Sequence, residues 1–184
     1  CSLFANCVLY ISDGLKDIPS IYNDIKAIPI SGLSFVPSAL EIFKLMLRSD
    51  VKNISGKIRY IELGSSKISK NLRTWLKRFF PRTVVYIHYG STEASRSFFL
   101  PLGKKDNLVF DNYLGPISTG TEYKLKSNKI FENTKTEEIL IRGKNLADGY
   151  LDPDSLGCIK FSDGWFKTSD IGLIQEKKLF LVGR

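Results

Sequence analysis

The sequence predicts an α/β fold: a parallel-sheet βαβ half followed by a β-rich, barrel-like subdomain. Two patterns carry this reading. Before about Asp111, apolar residues alternate between helical spacing and short strand-like runs; after it, short strand-like runs stand between Gly, Asp, Asn and Pro. Composition adds a third observation, since 43% hydrophobic, 12% aromatic and 25% charged residues over 184 positions describe a globular chain. A chain of this length buries roughly two-thirds of its unfolded surface. The predicted division is 1–110, α/β, and 111–184, β-rich.

Each element follows from local pattern. Ile21, Tyr22, Ile25 and Ile28 recur at helical spacing and predict a helix over 18–28. A short strand over 32–36 is stopped by Pro37, after which Ser38 is placed to cap a second helix with Leu40, Phe43 and Leu47 on one face. The run 58–63 reads as a strand ending at Gly64. Ser69 caps a third helix, in which Leu72, Trp75, Leu76 and Phe79 form an i, i+3, i+4, i+7 stripe, and Pro81 ends it before a strand over 84–87. Strand–helix–strand units of this kind imply a parallel sheet. In the second half, strands are expected over 122–125, 138–141, 171–174 and 179–182.

Composition also excludes. No apolar run approaches the ~18 residues that a membrane-spanning helix needs. The cysteines number 3 and show no CxxC spacing, so neither a disulfide framework nor a thiolate zinc site is expected, and a reducing, cytoplasmic setting is. With 1 histidine, His88, the chain has no His-rich metal site. The net charge of +8 reads either as a lysine-rich solvated surface or as attraction for an anionic partner. No nucleic-acid-binding module is recognisable, and no nucleic-acid partner is expected. The only methionine is Met46, and the chain starts at Cys1 and stops at Arg184 in mid-pattern, so a piece of a longer protein is expected.

Two constellations can carry chemistry. Strands on either side of the third helix end in Gly64-Ser65-Ser66 and in His88-Tyr89-Gly90-Ser91-Thr92-Glu93. In a crossover unit both ends lie at the carboxyl edge of the sheet, where open α/β folds bind ligands. Small residues there admit a ligand to the backbone, hydroxyls can bond phosphate or ribose, Tyr89 can stack on a base, and Glu93 suits Mg²⁺. The alternative is a simple turn with a Ser-Thr-Glu cap. The second constellation, 163–172, is either a β-turn at Asp163-Gly164 closing onto a strand, or a loop in which Asp170 accepts two adjacent hydroxyls. Other motifs fail. Gly115 to Gly120 has Walker spacing, but Thr121 stands where lysine is needed; a Ser65–His88 hydrolase pair has no acidic residue evident to orient His88.

Taken in order, the segments resemble the ANL superfamily of adenylate-forming enzymes. Tyr89-Gly90-Ser91-Thr92-Glu93 fits Y-G-x-T-E, and Glu138-Ile-Leu-Ile-Arg142-Gly143 with Gly149-Tyr150 resembles G-E-L-x-x-R-G…G-Y. Gly164-Trp165-Phe166-Lys167-Thr168-Ser169-Asp170 resembles G-W-x-x-T-G-D, and Leu181-Val182-Gly183-Arg184 the V-G-R that precedes a hinge. The resemblance implies attack of a carboxylate on the α-phosphate of Mg·ATP, then transfer of the acyl group to CoA or to a carrier protein's phosphopantetheine. It implies that Tyr89 stacks on adenine, facing a backbone wall of Gly64, Ser65 and Ser66, with Gly90 beside it. Thr92 would contact the α-phosphate and Glu93 hold Mg²⁺. Asp170 would bind both ribose hydroxyls, Arg184 reach ribose or phosphate, and Leu181 lie on the other side of adenine. His88 would line the acyl pocket.

This chain departs from the pattern in four places. Ser65 and His88 stand where glycine is common, Ser169 replaces the glycine of T-G-D, and Asp170 and Arg184 are one residue closer than expected. The family's phosphate-gripping loop and its mobile lid with a lysine would lie outside 1–184, so these residues alone are expected to be inactive. Where amino-acid-activating members place an aspartate, Ala5 is the matching residue, which favours a fatty or aryl acid. An acyl-CoA synthetase-like ligase is the leading expectation. A carrier-protein ligase, an amino-acid adenylation domain and a non-catalytic nucleotide- or partner-binding relative are the alternatives.

Overall fold

Asp17 opens the first helix, α1 (Ile18–Ala27), by accepting a hydrogen bond from the Ser20 amide at 3.1 Å. The computed structural model describes residues 7–11, 17–47, 50–64, 67–102, 112–127, 137–154 and 157–184. Strand β1 (Gly32–Phe35) follows, then α2 (Pro37–Leu47) and the short α3 (Val51–Ser55). Pro37 is the first residue of α2, not the stop before it. At that position its missing N–H costs no helical bond, so Ser38 lies inside the first turn and not at the cap. Strand β2 (Tyr60–Leu63) leads to α4 (Lys70–Phe79), whose cap is Ser69 as expected: its Oγ accepts from the Leu72 amide at 3.0 Å. Then come β3 (Val84–Tyr89) and β4 (Phe98–Pro101).

These strands form one sheet in the order β1-β2-β3-β4, with β1, β2 and β3 parallel and β4 antiparallel to β3. Alternation along β2 and β3 sends Ile61, Leu63, Val85 and Ile87 into a cluster with Ile25, Leu40, Phe43, Val51, Ile54, Leu72 and Leu76 from the helices. Tyr60, Glu62, Tyr86 and His88 therefore occupy the opposite face.

The second sheet is antiparallel, in the order β10-β9-β6-β5, and consists of β5 (Thr121–Ser127), β6 (Glu137–Gly143), β9 (Phe166–Gln175) and β10 (Lys178–Gly183). A separate hairpin pairs β7 (Gly149–Leu151) with β8 (Cys158–Lys160). The β-rich character is as expected. The barrel is not: among the described residues β5 and β10 are the two edges of an open sheet, and no strand pairing closes it. A second cluster, with Ile139, Ile141, Phe166 and Leu179 at its centre, also takes in Ala94 and Phe98. No helix among the described residues is long and apolar enough to cross a membrane.

Candidate active site

Parallel pairing of β2 with β3 brings Gly64 and His88 side by side at the carboxyl edge of the first sheet. The His88 ring lies directly on Gly64: a Cβ at Gly64 would fall 2.0 Å from His88 Nε2. Only glycine fits beneath that ring. Gly90 is just as confined, since a Cβ there would lie 2.5 Å from the Arg96 amide nitrogen and 2.7 Å from the Ala94 carbonyl. Ser65 and Ser66, the other half of the expected wall, and Ala5 lie outside the described residues.

The loop after β3 folds tightly on itself. The Ser91 amide donates to the Ala94 carbonyl at 3.2 Å, and the Ala94 amide donates to Ser91 Oγ at 3.1 Å. Ser91 thus serves the turn, while Thr92 is exposed. Glu93 is held twice from the segment after β6. Its carbonyl accepts from the Ala147 amide at 2.7 Å, and its Oε1 accepts from the Tyr150 hydroxyl at 2.7 Å. That hydroxyl is the main reason the Glu93 carboxyl lies below the usual carboxylate range, and the Arg184 charge acts in the same direction.

Asp170 reaches the same edge because β9 bulges. Glu138 pairs with Ile171 and Leu140 with Lys167, so Ile139 alone faces Thr168, Ser169 and Asp170. The Thr168 hydroxyl locks the bulge, donating to the Ile139 carbonyl at 2.8 Å and accepting from the Asp170 amide at 3.0 Å. Ser169 adopts φ 61°, the left-handed region in which glycine is unstrained, at the position where the resembling motif has glycine.

The buried Asp170 carboxylate accepts from the Tyr89 hydroxyl at 2.6 Å through Oδ2 and from Arg184 Nε at 2.9 Å through Oδ1. Burial, reinforced by Asp170, pushes the Tyr89 phenol well above its usual range. Leu181, on β10, packs with Tyr89 against the second cluster. Tyr89, Glu93, Asp170 and Arg184 thus share one electrostatic neighbourhood, although two lie in the first half of the chain and two in the second.

Sequence reasoning missed a second cluster. Glu62, buried on β2, accepts from Arg96 Nε at 2.5 Å on Oε1 and from the Tyr60 hydroxyl at 3.1 Å on Oε2. His88 Nδ1 lies 2.9 Å from the same Oε1, a short but oblique approach. His88 therefore does have an acidic neighbour. The His88 ring and the Arg96 guanidinium outweigh burial and hold the Glu62 carboxyl down at about 2. Burial, with Glu62 alongside, pushes the Tyr60 phenol up to about 12. The signal was a lone glutamate inside an otherwise apolar strand, two residues before Gly64.

Parallel strands whose carboxyl edge carries clustered polar side chains give the arrangement of an α/β ligand-binding protein. The chain belongs to the AMP-binding enzyme family, whose model matches residues 2–151. It is similar to a 2-succinylbenzoate–CoA ligase of Staphylococcus epidermidis, with 31% identity over 158 residues, 86% of this chain and 31% of that protein. It is also similar to 4-coumarate–CoA ligase 1 of Petroselinum crispum, with 29% identity over 134 residues, 69% of this chain and 25% of that protein. In fold it resembles the O-succinylbenzoate Coenzyme A Synthetase of Bacillus subtilis solved with ATP and magnesium ion. The TM-score is 0.68 at 21% identity, covering 91% of this chain and 34% of that one. The chain thus spans between a quarter and a third of the length of the curated relatives it matches.

Proposed function

We propose that the protein containing this chain activates a carboxylic acid with ATP, forming an acyl-adenylate, and transfers the acyl group to the thiol of CoA. The observation that carries this is the Asp170 carboxylate, gripped by Tyr89 and Arg184 beside the Thr92–Glu93 loop. Each carboxylate oxygen has two lone pairs and spends one here, so Asp170 can still accept one ribose hydroxyl on each oxygen. Tyr89 offers its ring to adenine next to Gly64 and Gly90, with Leu181 completing that pocket. Thr92, exposed on the loop, is the donor for the α-phosphate.

Glu93 fits a Mg²⁺ ligand: its carboxylate is kept ionised, and a magnesium ion bound with ATP needs only one or two protein carboxylates besides phosphate oxygens. When bound, the ion supplies charge neutralisation on the phosphates. The chain's own residues position the nucleotide, and such a transfer is catalysed mainly by positioning and preorganised charge. His88 lines the acyl side of the edge.

CoA is favoured over phosphopantetheine on a carrier protein because the curated relatives are named as CoA ligases. Their names also favour an aryl acid over a fatty one. The division into 1–110 and 111–184 belongs to this reading, supported by the two sheets, which fall on either side of it. So does a cytoplasmic setting, where CoA thiols stay reduced.

The test is carboxylate-dependent ATP–pyrophosphate exchange by the full-length protein across fatty, aryl and amino acids. Exchange is expected with one acid class and a loss of at least a hundredfold in Glu93→Ala. Silence from folded protein that still binds ATP would favour a non-catalytic nucleotide-binding relative.

A further inference from the structure

The Glu62–His88–Arg96 cluster lies on the sheet face turned away from the helices, beside the ring that the proposed function places against the acyl group. Its neighbours on that face are aromatic: Tyr60 and Tyr86 are 5.8 Å apart, and Tyr86 and His88 each lie 6.2 Å from Phe99. Arg96 enters from the loop with its backbone packed on Gly90 and its side chain reaching across to Glu62. Among the described residues only its Nε is engaged, and its side chain is 52% exposed while that of Glu62 is 11% exposed. The guanidinium is therefore half open to solvent, with its Nη donors not spent on Glu62.

That arrangement discriminates between acids. A plain alkyl chain laid over Arg96 would strip water from charged N–H donors and return no acceptor, a penalty that falls on every bound molecule. An acyl group carrying its own anionic acceptor would instead meet a planar fork suited to bidentate pairing. Glu62 takes only the Nε donor, which leaves the two Nη groups for a second acceptor. The aromatic neighbours supply a flat apolar wall for a ring.

We propose that Arg96 is a specificity-determining residue of the acyl site, selecting ring-bearing or short acids that carry a second carboxylate. This rests on the reading of the protein as an acid-activating ligase. The test is pyrophosphate exchange by the full-length protein with paired acids: cinnamate against 4-carboxycinnamate, and hexanoate against adipate.

In each pair kcat/KM is expected to be at least tenfold higher for the member with the second carboxylate. Arg96→Met should bring that ratio down towards one, chiefly through KM, and Arg96→Lys should leave an intermediate ratio. The lysine variant keeps the charge but not the fork, so it still reports if the methionine variant fails to fold. A wild-type ratio near one, or a ratio that Arg96→Met and Arg96→Lys leave untouched, would overturn the assignment alone. No exchange with any acid, from folded protein, would remove the ligase reading and this assignment with it.

Discussion

Glu62 shows how one side chain couples stability to pH. Its carboxyl sits at about 2 in the folded chain against an ordinary value of 4.5, mainly through His88 and then Arg96. The folded state therefore binds fewer protons than the unfolded one between those values. The resulting stabilisation is complete above about 4.5 and is lost as pH falls towards 2. Allowing for solvent around the half-exposed Arg96, it is on the order of 2 kcal/mol. Urea midpoints at pH 6 and pH 3 should fall further apart for wild type than for Glu62→Gln; equal falls would count against the cluster. The residues of the proposed nucleotide side could be named from the sequence because their motifs are local. Glu62 and Arg96 could not, because what joins them is strand register, with 34 residues of chain between them.

At the scale of elements, what was legible had strong periodicity or an unambiguous cap. The faces of α2 and α4, the Ser69 cap and the parallel order of β1, β2 and β3 all followed from spacing. Strand β4 contains Pro101, and α3 spans 5 residues, so neither carries enough pattern to be read. Strand β9 was legible only from Ile171 onward, because Thr168-Ser169-Asp170 reads as a loop; it is a bulge within one long strand. That bulge aims Asp170 at the site, and Ser169 bears its cost at φ 61°. Ser169→Gly should remove the steric penalty of a left-handed non-glycine residue and raise stability by about 1 kcal/mol. The Ser169 backbone N–H donates to Glu138 Oε1 at 3.1 Å, a bond that does not use the serine side chain and survives the change. A lower thermal midpoint in Ser169→Gly would show that the serine side chain contributes more than its backbone costs.

Across the whole molecule, the two sheets meet at Phe98. This residue begins β4 in the first sheet, is 1% exposed, and packs edge-on against Tyr89 at 5.8 Å and against Tyr123 of β5 at 5.4 Å. It thereby connects the strand that presents Tyr89 to the sheet that presents Asp170. The Tyr89–Asp170 and Ala147–Glu93 hydrogen bonds cross the same boundary, but each is a single polar contact, worth about 1.5–3 kcal/mol net to the carboxylate and about 1 kcal/mol between backbone groups. A buried phenylalanine is worth more: Phe98→Ala should cost about 3–5 kcal/mol. The manner of the loss distinguishes a junction from an ordinary core position. Hydrogen exchange measured by mass spectrometry on the full-length protein should give α4 and β3 the same opening free energy as β6 and β9 in wild type. In Phe98→Ala the two sets should separate, because the second cluster loses a core member while the first, which does not include Phe98, keeps its interior. If both fell together by the same amount, the halves would be joined mainly by other contacts, and the geometry of Tyr89 and Asp170 would not depend on this ring.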